Sequence, residues 1–300
     1  MRITVTGATG LLGRRLVAAL RERGDGVTVL SRDPARARGA LGVDAVAWDP
    51  LGEPAPAAAL AGRDAVVHLA GEPVAQRWSR DAKQAIRASR ELGTRNLVAG
   101  IADTERPPAV LVASSAVGYY GKHGDERVTE ATAAGSDFLA EVCVAWEREA
   151  QRAAEQGLRV VNLRTGVVLD ATGGALRTML PPFKAGIGGP VAGGRQYLPW
   201  IHAQDVVRMY LAALDDERWD GPANATAPEP VTNREFSRAL GKALHRPAIA
   251  PVPALALRLL YGEMAEIVTE GQRAVPAAAL EHGFSFEHPD LDEALASALG

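Results

Sequence analysis

The chain has 300 residues, 47% of them apolar and 23% charged, enough for one large α/β domain or for a nucleotide domain with a smaller companion. A formal net charge of −3 gives no basis for a nucleic-acid partner or an acidic membrane surface, and a lone cysteine, Cys143, excludes an intramolecular disulfide and any multi-cysteine metal site. Met1-Arg2 leads straight into a strand pattern and no apolar run reaches membrane length, so a soluble cytoplasmic chain with no membrane partner and no metal is expected.

The β-branched run Ile3-Thr4-Val5 ends at Gly7, Gly10 and Gly13, and Leu12, Leu16, Ala19 and Leu20 then fall on one helical face. A strand, a glycine turn and an amphipathic helix, in that order, are the context a dinucleotide-binding turn requires. Gly7 permits the tight turn, Gly10 lets backbone approach a pyrophosphate, and Gly13 lets the helix lie close to the strand. Around Thr9, the N–H groups opening the helix at Leu11 and Leu12, with its positive dipole end, would face the phosphates.

Val27–Leu30 reads as the second strand and ends in Ser31-Arg32-Asp33-Pro34. At this point an acidic residue would hold the free ribose hydroxyls of NAD, whereas a basic one accommodates the 2′-phosphate of NADP. Arg32 stands where the acid would be, Ser31 adds a hydroxyl, and Asp33 lies a step further on, before a proline. Arg14 and Arg15 could close on the same phosphate, although one of the two is better read as a solvated helix residue. The expected cofactor is NADP(H).

Val43–Trp48 is the third strand and ends in Asp49-Pro50, a common turn start. After a loop and short helix over Gly52–Gly62, Asp64–Leu69 forms a fourth strand, as apolar as a central parallel strand should be. Ala70 and Gly71 leave room there for the middle of a cofactor, and His68 reads as a buried strand residue. Arg80–Ala102 is a long helix with Ala85, Ile86, Ser89, Gly93, Leu97 and Ile101 at helical spacings, firmly ended by Pro107-Pro108. Val110–Ser115, the helix Phe138–Gln156 and the strand Leu158–Leu163 continue an alternation that predicts an α/β fold with a Rossmann-type doubly wound parallel sheet.

Beyond Asp170 the rhythm breaks. Glycine-rich loops precede a short strand at Tyr197–His202 and a helix at Ala203–Leu214, and from Asn224 onward come short helices and a turn-bounded Gly283–Phe286. The expected organisation is an NADP(H)-binding Rossmann domain over 1–170, rejoined by segments at about 200–230, and a small C-terminal lobe over 171–300. That lobe would cover the carboxyl ends of the strands, where ligands of this fold sit.

The stretch Thr6-Gly7-Ala8-Thr9-Gly10-Leu11-Leu12-Gly13 resembles the TGATGxxG turn of extended short-chain dehydrogenases/reductases. The likeness runs through Arg32, Asp49, Leu69-Ala70-Gly71, Ser114-Ser115, Trp200–Asp205 and the C-terminal lobe, essentially the whole chain. Ala88-Ser89-Arg90, Ser115–Gly121 and Asp137–Glu147 resemble one subgroup, the "epimerase family" proteins, an atypical branch that is NAD-dependent epimerase/dehydratase-like. That branch ends in a small domain of unknown function, which the tail from about Pro247 resembles. The resemblance implies that Asp49 contacts the adenine amino group, and Leu69, Ala70, Gly71, Ser114 and Arg164 complete the cofactor-binding set. Because such proteins often pair through two long helices, a homodimer through Arg80–Ala102 and Phe138–Gln156 is also implied.

The chemistry departs from that pattern. Working members of the wider family use a Tyr as acid/base, a Lys four residues later that lowers its pKa, and a Ser or Thr that polarises the substrate. Aligned through Glu147, this chain has Leu139 and Cys143 at the Tyr and Lys positions. Ala116 falls where the polarising hydroxyl belongs, and Arg90 replaces the usual Asn, although Gly93-Thr94 is kept. Ser115, placed beside the nicotinamide, and the phenols of Tyr119 or Tyr120 are the candidate catalytic replacements. Lys83, Arg90 and Arg164 are cations that could lower a phenol's pKa or hold an anionic substrate. Packing of the loop is an equal reading for the two tyrosines, a solvated helix face the better one for Lys83, and a small buried hydrophobe the better one for Cys143.

No Gly-x-Ser-x-Gly elbow supports a hydrolase. The function expected is an NADP(H)-dependent oxidoreductase or epimerase with a rearranged proton donor, acting on a small molecule. The alternative is a non-catalytic NADP(H)-binding sensor or scaffold. Arg164, Arg177, Arg195 and Trp200 in or near the loop-rich lobe suit an anionic or sugar-like ligand.

Overall fold

A computed structural model describes residues 1–300, apart from the side chain of Leu260. Strands and helices alternate from the start, as β1 (Arg2–Thr6), α1 (Leu11–Glu22), β2 (Gly26–Ser31), α2 (Pro34–Leu41), β3 (Asp44–Ala47), the short α3 (Ala57–Leu60), β4 (Ala65–His68), α4 (Arg80–Ala102) and β5 (Val110–Ala116). A short β6 (Arg127–Val128) precedes α5 (Phe138–Gln151) and β7 (Arg159–Thr165). The chain goes on through β8 (Val167–Leu169), α6 (Gly174–Lys184), β9 (Tyr197–Leu198), β10 (Trp200–His202), α7 (Ala203–Asp215) and β11 (Gly221–Ala225). The remaining elements are β12 (Val231–Thr232), α8 (Asn233–Ala243), α9 (Ala254–Tyr261), α10 (Glu266–Thr269), β13 (Arg273–Ala274), α11 (Ala277–Glu281) and α12 (Leu291–Leu299).

Seven strands form one parallel sheet in the order β11-β7-β5-β4-β1-β2-β3. The chain winds outward from β1 to β3, then returns to build the other half from β4. The strand order therefore reverses between β1 and β4, and a crevice opens at their carboxyl ends. Successive residues of each central strand point to opposite faces, and both faces are covered. Val67, Val112 and Val161 pack with Leu16, Val17, Leu20, Val206, Met209 and Tyr210 of α1 and α7. Their neighbours Val66, Leu111 and Val160 pack with Leu97, Val98, Ile101 and Ala150 of α4 and α5. The lobe has its own core, in which Leu176, Leu180 and Phe183 of α6 meet Phe236 and Leu240 of α8 and Leu295 of α12. Among the described residues, no helix is long and apolar enough to cross a membrane.

Three segments differ in detail from the sequence reading. The helix expected to reach Gln156 ends at Gln151 and tightens into a 3-10 turn over Arg152–Gln156, closed by Gly157 in the left-handed region (φ 83°). The expected strand Tyr197–His202 is two strands split at Pro199, which has no N–H for a ladder but accepts Val167 N–H at 2.7 Å. β9 therefore pairs antiparallel with β12, and β10 pairs parallel with β8. The edge strand β11, Gly-Pro-Ala-Asn-Ala, has no β-branched or aromatic residue and so gave no periodic signal. It contains Asn224, where the sequence pattern suggested only the start of short helices.

Candidate functional site

The crevice begins at the turn between β1 and α1. Gly7 adopts φ 66°, and a Cβ there would come within 2.7 Å of Leu69 and Ala70 backbone, so the turn lies directly against the end of β4. At Gly13 a Cβ would meet the Gly7 carbonyl oxygen at 2.4 Å, so glycine is what lets α1 sit down on its own turn. The N-cap of α1 is Gly10, with no side-chain cap and no acidic residue in the first turn. By contrast α2, α4 and α5 are capped by Asp33, Ser79 and Asp137. The opening N–H groups of α1 are thus left for an anion.

A buried polar chain holds this turn against β4. Ala70 N–H donates to Thr6 Oγ1 (3.2 Å), Thr6 Oγ1 meets His68 Nδ1 (2.7 Å), and His68 Nε2 meets Thr94 Oγ1 of α4 (3.0 Å). With the Thr6 hydroxyl donating to Nδ1, the neutral ring donates from Nε2 to Thr94 Oγ1, and both ring nitrogens are satisfied. Burial, with help from the Arg90 charge, pushes the His68 imidazole down to about 4. His68 is the buried strand residue that its pattern implied.

At the carboxyl ends of β2 and β3, Ser31 closes β2, Arg32 follows it and Asp49 follows β3, close together because Trp48 N–H donates to the Ser31 carbonyl (3.0 Å). Arg32 is exposed and forms no ion pair among the described residues. Asp33 turns away to accept Arg36 N–H at the start of α2 (3.0 Å), and Asp49 accepts Leu51 N–H (3.1 Å). Arg15 is drawn off to Asp170 (2.6 Å), whereas Arg14 is exposed and donates to the Thr9 carbonyl (2.8 Å).

At the far end of the crevice, the two serines of β5 part company. Ser114 Oγ meets Tyr210 of α7 (2.6 Å), whereas Ser115 Oγ donates to Glu147 of α5 (2.5 Å). Glu147 accepts two bonds from Arg164, both at 2.8 Å, and Arg164 Nη1 reaches the Tyr120 hydroxyl (3.0 Å), which donates to Asn224 Oδ1 (2.7 Å). Asn224 in turn donates to the Val275 carbonyl (2.9 Å), and its N–H donates to Glu130 (2.8 Å). The Arg164 guanidinium also covers the Tyr119 ring at 3.4 Å. This network ties β5, β7, α5, the loop after β5 and the lobe together. Burial pushes the Tyr120 phenol up to about 12, and the Glu147 carboxylate holds the Arg164 proton firmly against the desolvation of its site.

Two of the expected site residues have their polar ends occupied within the protein. Tyr120 is fully buried with its hydroxyl engaged on both sides, so it is no free proton donor. Arg164 is 3% exposed, and its guanidinium is committed to Glu147 and the Tyr120 hydroxyl. Ser115 is buried beside them, which leaves Tyr119 as the partly exposed phenol of the three catalytic candidates. The Cys143 thiol is buried and pushed up to about 12, chiefly by that burial, which fits the small-hydrophobe reading. Lys83 pairs with Glu263 of the lobe rather than standing free in solvent. The sequence named Glu147 only as an alignment anchor and did not single out Glu130 or Asn224. A lone Glu or Asn gives no local signal of a partner in another element.

Fold and crevice together define a Rossmann-type dinucleotide-binding protein. The family model described as "NAD dependent epimerase/dehydratase family" matches residues 3–224, and one for a domain of unknown function (DUF1731) matches 252–298. An epimerase family protein of Mycobacterium tuberculosis is 42% identical over 299 residues, covering 99% of this chain and 97% of that one. The crystal structure of the human epimerase family protein SDR39U1 (isoform 2) with NADPH matches at TM-score 0.89 and 32% identity, covering 100% of both chains. A nucleoside-diphosphate sugar epimerase from Corynebacterium glutamicum matches at TM-score 0.79 and 36% identity, over 100% of this chain and 58% of that chain. The chain belongs to the NAD dependent epimerase/dehydratase family, in the branch that carries the C-terminal domain of unknown function.

Proposed function

We propose that the chain binds NADP(H) along the crevice between β1 and β4 and is an oxidoreductase or epimerase of a small-molecule substrate. The observation that carries this reading is the uncapped start of α1, set against Gly7, with the unpaired Arg32 at the end of β2. Together they supply donors for a diphosphate and a cation for a ribose 2′-phosphate. The human relative's crystallisation with NADPH supports the same choice. Bound there, the nicotinamide would supply hydride transfer. The lobe over 171–300, less the segment near 200–230 that rejoins the sheet, is the proposed substrate side.

The proton donor we propose is Tyr119, since Tyr120 and Ser115 are turned inward. The test is NADPH oxidation at 340 nm with a panel of aldehydes and ketones, together with product analysis of nucleotide sugars, because an epimerase returns its hydride and consumes no net NADPH. Turnover that falls at least about a hundredfold in Tyr119→Phe, with an unchanged thermal midpoint, supports the assignment. Turnover untouched by that change removes Tyr119 from the mechanism.

A sensor or scaffold is the second reading, favoured by Leu139 and Cys143 at the places of the usual Tyr and Lys. It predicts a panel without turnover and a partner whose affinity depends on NADPH. A homodimer through α4 and α5 is also proposed, supported by their side-by-side packing. Light scattering should then give a mass near twice 31.5 kDa. One buried, unpaired cysteine suits a reducing compartment, for which we propose the cytoplasm.

A further inference from the structure

Arg90 is a cation with no direct ion-pair partner among the described residues. Its guanidinium lies 5.0 Å from the Trp146 ring centroid, and its Nη1 donates to the carbonyls of Glu72 (3.0 Å) and Ile86 (3.2 Å). Its Cζ is 3.3 Å from where a Cβ on Gly71 would stand, so the group rests against the loop that leaves β4. No carboxylate pairs with it among the described residues, and its Nε and Nη2 donate to none of them.

Among its neighbours only the Glu72 carboxylate answers the charge, from beyond ion-pair distance. His68 and Cys143 are both held in their uncharged forms by burial, and Glu147 is spent on Arg164. A guanidinium drawn out of water and held by carbonyls on one side only is costly unless acceptor oxygens complete its remaining donors. Arg90 is half-buried and these two donors are not sealed inside the protein, so the oxygens of a ligand in the crevice can complete them.

Position says which ligand group this is. A role for Arg90 in the crevice rests on the cofactor reading proposed above. Arg32 marks the adenosine end at β2, and the start of α1 marks the diphosphate at β1. Arg90 and Gly71 lie on the other side of β1, over β4 and towards Cys143 of α5 and Ala116 of β5, whose backbone hydrogen-bonds the Cys143 thiol. A dinucleotide running across the switch point places its nicotinamide riboside over that half of the sheet. A ribose offers two adjacent hydroxyls, and a planar guanidinium fork can meet both.

We infer that Arg90 binds the ribose of the cofactor's nicotinamide half through Nε and Nη2. The cation of the site thus comes from α4, while the corresponding place on α5 is occupied by Cys143. The fixed fork also orients the nicotinamide ring relative to the substrate side.

The test compares NADPH with adenosine 2′,5′-bisphosphate, which shares the phosphorylated adenosine but has no nicotinamide riboside. Wild-type protein should bind NADPH at least about tenfold more tightly than the bisphosphate. Arg90→Met, which keeps an unbranched chain beside Trp146 but no donors, should weaken NADPH about ten- to a hundredfold and leave the bisphosphate within about twofold. Arg90→Lys, with its charge but no fork, should fall between. Equal losses for both ligands, or unchanged NADPH affinity, overturn the inference. So does wild-type protein that binds both ligands equally well, a comparison that holds even where a variant fails to fold. Wild-type protein that binds neither ligand overturns the cofactor reading itself, and this inference with it.

Discussion

His68 carries a pH dependence that follows from its burial. Its imidazole is held at about 4 in the folded chain, against an ordinary 6.5. The unfolded chain therefore takes up a proton between those values that the folded chain refuses. The contribution is fully present above about pH 6.5 and is lost as pH falls towards 4, on the order of 3 kcal/mol in all. Urea unfolding at pH 7.5 and pH 5 should show a smaller loss of stability for His68→Gln than for wild type. An equal loss would mean that the ring is not neutral and buried as described. At this scale the sequence was legible where a residue acts through its own backbone position, as with Gly7, Gly13 and His68. It was not legible for Tyr120 and Arg164, because their roles are set by Glu147 and Asn224, which reach them across 17 and 104 residues of sequence. A phenol or a guanidinium looks the same in a sequence whether its polar end is free or occupied.

Among the elements, β1, α1 and β4 were readable almost to the residue, because periodicity and glycine punctuation agreed there. The helix Arg80–Ala102 appears with the bounds its pattern gave, set by the Ser79 cap and the loop that leads to Pro107-Pro108. β11 was not readable, since it is imposed by the neighbouring strand β7 rather than by local preference, whereas the split at Pro199 had a local mark in the missing N–H. The packing of α1 gives a sharp expectation. Gly13→Ala would drive a methyl group into the Gly7 carbonyl and the Ala8 backbone, at a cost of at least about 2 kcal/mol, and would also disturb the phosphate turn. Gly39→Ala, in open space on α2, should be neutral or slightly stabilising. Thermal unfolding of the two variants side by side tests this, and equal midpoints would contradict the packing described.

Across the whole molecule, buried polar groups join the sheet to the lobe. The buried Asp205 accepts the N–H groups of Glu287 (2.8 Å) and His288 (3.0 Å), and so fastens the tail onto the start of α7. Glu130 and Asn224 fasten the loop after β5 to β11 and to the lobe near Val275 and Ala278. The result is a hydrogen-bonded floor, with an open α1 terminus and an unpaired cation on each side of it, Arg32 over β2 and Arg90 over β4. The proton-transfer pair of the wider family is gone from α5, while the cofactor half of the crevice is intact. Calorimetric titration of the wild type and of Arg32→Ala with NADPH and NADH tests that account most directly. The account predicts that NADPH binds at least about tenfold more tightly than NADH, and that most of this preference vanishes in Arg32→Ala. Equal affinity for the two nucleotides, or no binding of either, would contradict it.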